Sequence, residues 1–130
     1  MRPTYTEQYD KLTVAYLQGK LKPLQPQSCF VGVLLNGNAE WRLNRVTCPD
    51  THTDHILDPE AMDPVYGLYT SHELICLEDH FVEKCYVAGK LSDGRDCFHV
   101  TEYSLFDALN STIDLLRSIH AVREVTLQVA

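Results

Sequence analysis

Residues 69–85 constrain the fold more tightly than any other stretch. Thr70 and Glu73 have capping-box spacing, in which hydroxyl and carboxylate each satisfy a free amide at a helix start. Tyr69 and Leu74 stand where a hydrophobic staple would pack. At about 100° per residue, Leu74, Leu77, Phe81, Val82 and Cys85 share one broad face. The spacing predicts an amphipathic helix with Thr70 as its N-cap. His72, Cys76, His80 and Glu83 fall on the opposite face, so core packing does not require them.

That polar face belongs to a wider acidic band. Residues 48–83 hold nine acids, four of the six histidines and no Lys or Arg. Residues 1–47 carry six basic and three acidic groups, and residues 84–130 carry five and six. A duplex binder needs clustered Lys and Arg to displace counterions from phosphates. No such cluster exists, so direct nucleic-acid binding is not expected. The band would attract a cation or a basic surface on another protein. The start of the chain lacks the charged-then-apolar pattern of a signal peptide, and no run approaches membrane-spanning length. Five cysteines without framework spacing read as free thiols or ligands. Together these lead to the expectation of a cytoplasmic protein with no membrane contact.

Residues 1–130 are expected to form a single globular domain. Thr4 and Glu7 have capping-box spacing, and Leu12, Ala15 and Tyr16 recur at helical intervals up to Gly19, predicting a helix over 5–18. Pro23 and Pro26 mark residues 20–27 as an extended connector. Residues 28–47 admit two readings. In one, Ser28 caps a short helix from Cys29 to Leu35 that ends at Asn36-Gly37. In the other, Asn36-Gly37 turns a hairpin whose second strand alternates through Ala39, Trp41 and Leu43. The helix is preferred for 29–36. Residues 48–69, with Pro49, Pro59, Pro64 and Gly67, read as a long irregular acidic loop.

Residues 86–101 read as a hairpin turning at Ser92-Asp93-Gly94-Arg95. Ser104 and Asp107 would cap a last helix to about Arg123, with Leu105, Leu109, Ile113, Leu116 and Ile119 as its stripe. Val125, Leu127 and Val129 alternate, as an edge strand or a frayed tail. The expected class is α+β and helix-rich, with three to four helices and one or two short β-hairpins.

Three chemistries compete for the polar residues. Cys48, His52 and His55 are spaced C-x3-H-x2-H, and His72, Cys76 and His80 stand four apart along the predicted helix. Thiolate and imidazole are zinc ligands, and loop and helix donors could close one tetrahedron. His72-Glu73-Leu74-Ile75-Cys76 resembles the zincin HExxH helix with its second His replaced. The capping box already explains Glu73, and a solvated polar face is the plainer alternative. A thiol nucleophile is the second option. Cys29 would sit near a helix N-terminus, where the dipole lowers a thiol pKa. His99 or His120 would be the base, oriented by Asp96 or Asn110, with Gln27 as oxyanion donor. This is loosely similar to papain-like peptidases, without the flanking glycines and second cysteine of their signature. A buried structural cysteine is the plainer alternative, and His120, within an apolar stripe, reads as a core histidine with a hydrogen-bond partner. The third option is a binding surface. Asp50, Asp54, Asp58, Glu60, Asp63 and Glu83 would receive a basic patch. A variant is an oligomer pocket for a small ligand, using Arg42, Arg45 and the tyrosines.

The runs Ser28–Gly37, Tyr69–Leu74 and Ile113–His120 resemble small uncharacterised proteins encoded by bacteriophages and mobile elements. The resemblance implies a compact accessory protein of a bacterial cytoplasm that binds a host protein or a signal molecule. The favoured function is therefore a non-enzymatic binding or inhibitory protein acting through residues 48–83, without cofactor. A zinc-binding protein, hydrolytic in one version, comes second, and a cysteine hydrolase using Cys29 comes third.

Overall fold

The computed structural model describes residues 4–37, 39–56 and 69–129, apart from the side chains of residues 40 and 123–129. Helix α1 spans Tyr5–Leu17, and Thr4 Oγ1 accepts the Glu7 amide at 3.2 Å. Gly19, at φ +70°, takes the left-handed turn that ends it. Leu12 and Ala15 are buried, as is Gln8, whose Nε2 donates to Tyr69 Oη at 3.2 Å.

The ambiguous stretch resolves as a helix. α2 is Phe30–Leu34, and all five of its residues are buried. Its N-cap is Cys29 rather than Ser28, the thiol accepting the Gly32 amide at 3.4 Å. Asn36 and Gly37 do not turn a hairpin. Both have positive φ, and Gly37 N donates to Gly32 O while Asn36 N donates to Val33 O. These are the paired bonds of a Schellman helix end. The strand expected through Ala39–Leu43 is instead a single helical turn, α3, Glu40–Leu43. Trp41 is wholly buried with its indole N–H on Pro26 O at 2.9 Å, whereas Leu43 is 83% exposed.

A hairpin does follow, further along. β1 (Arg45–Thr47) pairs antiparallel with β2 (Asp54–Ile56), with Arg45 opposite Ile56. Residues 54–56 of the expected irregular loop are thus a strand. Buried Ile56 anchors β2, and its amide donates to Ser71 Oγ at 2.8 Å. Asp58, Glu60 and Asp63 lie outside the described residues.

α4 spans Ser71–Cys85 and carries both halves of the capping box at Thr70 and Glu73. β3 (Tyr86–Lys90) and β4 (Asp96–Val100) form the second hairpin. α5 covers Glu102–Val129 and packs along α4. Its start lies a little earlier than the Ser104–Asp107 spacing implies. Thr101 and Ser104 cap each other reciprocally, each backbone amide donating to the other's hydroxyl at 2.8–2.9 Å. Its end lies later: the backbone stays helical to Val129, so Val125, Leu127 and Val129 form no strand.

The architecture is helix-rich α+β: among the described residues, five helices and two short antiparallel hairpins. α1, α2, α4 and α5 supply most of the core, with the Phe30 and Phe81 rings 5.7 Å apart inside it. His120 is buried there, its Nε2 2.7 Å from Tyr69 Oη, matching the core-histidine reading. No helix among the described residues is long and apolar enough to cross a membrane.

Candidate binding cleft

The imidazole and thiol trio of α4 does not converge. His72 is exposed, with Nε2 3.4 Å from half-buried Cys76 Sγ. His80 turns away, its Nε2 2.7 Å from Ser111 Oγ on α5. The reason is helical drift: each step of four residues advances about 40° beyond a full turn, so the third residue sits about 80° from the first. The second trio is also dispersed. His52, on the β1–β2 loop, and His55, on β2, are exposed, and His55 Nε2 lies 3.3 Å from Thr53 Oγ1. Hydrogen bonds from the Thr51 side chain, then from backbone amides of Thr51 and Asp50, hold the Cys48 thiol below its usual range. Among the described residues, no three His, Cys, Asp or Glu side chains stand together as a metal site.

The expected activation of Cys29 is reversed. The residue is fully buried, and its thiol lies 3.6 Å from Pro26 O. Burial first, and the nearby Glu78 carboxyl second, push its pKa far above the ordinary thiol range. The five-residue helix behind it is too short a dipole to offset them. His99 stands exposed on β4, its ring lying over Gly89 across the hairpin.

Glu78 is the residue that the charge pattern hid. It stands four residues after Leu74 and three before Phe81, inside the apolar stripe of α4, and is 1% exposed. Its Oε2 accepts a long 3.4 Å bond from the Val31 amide, and the Cys29 thiol lies close enough to interact with the carboxyl. Its Oε1 has no hydrogen-bond partner among the described residues. Burial raises its pKa above the usual carboxylate range, against the lowering effects of the Cys29 thiol, the Val31 amide and the charges of Arg42 and Arg45. Buried Cys85 lies near enough that burial and Glu78 push its thiol up to about 12. Helical spacing alone could have found Glu78, since an acid at 74 + 4 on the stripe has nowhere to go but the core side.

Glu78 borders a cleft of about 330 Å³ between α3, the β1–β2 hairpin and α4, with Leu24 and Val82 as apolar walls. Arg45 ties the hairpin to the helix. Its guanidinium contacts Asp54 Oδ2 at 2.6 Å and Asp79 Oδ1 at 3.0 Å, with an 18% exposed side chain. The Thr47 hydroxyl donates to Asp54 Oδ1 at 2.6 Å. That bond and Arg45 hold the Asp54 carboxyl below its usual range. Asp54, expected to face a partner's basic patch, is therefore engaged internally, while Asp50 and Glu83 face solvent. Arg42 is exposed beside Trp41, its Cζ 5.8 Å from the indole centroid, and forms no ion pair among the described residues. Arg42 and Arg45, named together for a small-ligand pocket in the sequence reading, both line this cleft, and no tyrosine among the described residues does. Comparison with protein-family models, curated proteins and solved structures finds no match for this chain.

Proposed function

We propose that this chain is a small non-enzymatic binding protein whose ligand sits in the cleft between the β1–β2 hairpin and α4. The observation that carries the reading is the Glu78 carboxyl, buried at the cleft with Oε1 unpartnered among the described residues. A buried polar atom without a partner costs about 1–3 kcal/mol, more when charged. A ligand that donates to it recovers that penalty, and unsatisfied groups of this kind concentrate at functional sites. Arg42, exposed on the same rim and outside any ion pair among the described residues, adds a cation that a ligand could engage. The proposal keeps the acidic segment as the working surface and moves its centre from the exposed acids to Glu78. It places the protein in the cytoplasm, where ligand occupancy would set its effect on a partner protein. The buried, protonated Cys29 speaks for a structural thiol rather than a nucleophile.

The test is retention from a small-molecule extract of bacterial cells. Protein is passed through the extract, desalted, denatured and examined by mass spectrometry. The expected result is a compound held by the wild type and lost from folded Glu78→Gln and Arg42→Ala variants. Retention of nothing, or equal retention by all three, overturns the reading.

A second reading, zinc binding, draws on the 3.4 Å approach of His72 Nε2 to Cys76 Sγ. Those two atoms could supply half of a tetrahedral set. Cobalt(II) titration should then produce thiolate charge-transfer absorption that Cys76→Ser abolishes, and a silent spectrum ends that reading.

A further inference from the structure

We infer that the ligand of this cleft is a small zwitterion, with one cationic hydrogen-bond donor for Glu78 and one carboxylate for Arg42, an inference that rests on the binding reading above. Charge balance drives the choice. Arg45 is neutralised by Asp54 at 2.6 Å and Asp79 at 3.0 Å, so it has no charge to spare for a ligand. The surplus negative charge of that trio falls on Asp79, whose side chain is 57% exposed to solvent, and what remains along the cleft outside these ion pairs is one buried carboxyl, Glu78, and one guanidinium, Arg42.

A ligand of several phosphates would meet three carboxylates and a single uncommitted cation, a like-charge juxtaposition that costs binding. A simple cation would satisfy Glu78 and leave Arg42 unanswered. A simple carboxylate would do the reverse and leave the buried Oε1 of Glu78, which has no partner among the described residues, without a donor. Only a molecule bearing both charges meets both groups. The donor should be charged, because a hydrogen bond between ions is roughly twice as strong as a neutral one. Leu24 and Val82 provide apolar contact for the methylenes that separate the two charges. A volume of about 330 Å³ suits a molecule of amino-acid size.

The experiment is a panel titrated into the 15N-labelled wild-type protein. The probes are β-alanine, 4-aminobutyrate, 5-aminopentanoate, 6-aminohexanoate, L-lysine and L-arginine. Each is matched by an amine lacking the carboxylate and a carboxylate lacking the amine. Amide shifts of Thr47, Asp54, Asp79 and Val82 report binding. At least one zwitterion should bind about tenfold or more tightly than both of its singly charged analogues, the worth of one charge-assisted bond. Glu78→Gln should erase its advantage over the carboxylate analogue, and Arg42→Ala its advantage over the amine. If no zwitterion outperforms its analogues on the wild type, the inference is overturned, whatever the variants do. Retention of a compound from cell extract would in that case leave the binding reading standing with a different ligand class. An empty extract result would remove both.

Discussion

At the scale of the residue, Glu78 decides how stability responds to pH. Burial lifts its pKa above the ordinary value near 4.5. In the window between those two values the native state holds a proton that the unfolded chain has released. Stability therefore falls as pH rises through that window and stays lower above it. Acidification towards the ordinary value near 4.5 should raise the midpoint of thermal unfolding, and Glu78→Gln should flatten that slope. Asp54 works in the opposite sense and elsewhere on the scale. Its pKa is depressed below 3.8, so its contribution is lost only as pH falls through the lower value. An unchanged slope in Glu78→Gln would show that the carboxyl is hydrated in solution. The cysteines offer a second readout. Cys48, partly exposed and with a lowered pKa, should take up iodoacetamide first at neutral pH. Buried Cys29 and Cys85 should react only after denaturation. Rapid native labelling of Cys29 would reinstate the nucleophile.

Elements differ in how far local sequence determines them. α4 was legible because its signals are contained within it: Thr70 and Glu73 close a capping box, and the apolar spacing runs without interruption. α2 was half-legible, since Asn36-Gly37 suits either a hairpin turn or a Schellman end. Burial of all five residues from Phe30 to Leu34 settles it, and burial is a tertiary quantity. The β1–β2 hairpin was not legible at all. Three-residue strands carry almost no periodicity, and this pair depends on side chains remote in sequence: Arg45 reaches Asp79, and Ile56 N reaches Ser71. The cleft was illegible for the same reason, being assembled from residues between Leu24 and Val82. Arg45→Met should accordingly act on one element. Amide exchange in residues 45–56 should accelerate while α4 and α5 keep their protection. The global loss should be about 1 kcal/mol, the scale of a partly exposed ion pair. Uniform acceleration throughout would mean that the hairpin and the helices open together.

Across the whole molecule, the packed body and the β3–β4 hairpin are separable. No residue from 86 to 101 belongs to the buried cluster, and Phe98 is 75% exposed. Both faces of the hairpin carry exposed side chains, with Ala88, Phe98 and Val100 on one and Val87 and His99 on the other. Only the root is fixed, where Tyr86 lies opposite Val100 and Ser104 Oγ donates to Cys85 O at 2.7 Å. An isolated two-stranded hairpin is marginal in water, so this one adds little to the fold it projects from. Val87 and His99 are register partners, which lets a two-residue turn join them directly. Replacing residues 88–98 by Asn-Gly should preserve the helical circular dichroism and leave α4 packed on α5. The unfolding midpoint should shift by no more than about 4–8 °C, the equivalent of roughly 1 kcal/mol in a small domain. Solubility should rise as exposed Phe98 is removed. Ligand binding at the cleft should be untouched, because none of its lining residues lies in the arm. Loss of cooperative unfolding in the shortened chain would instead make the arm part of the folding unit, and the division into body and projection would have to be abandoned.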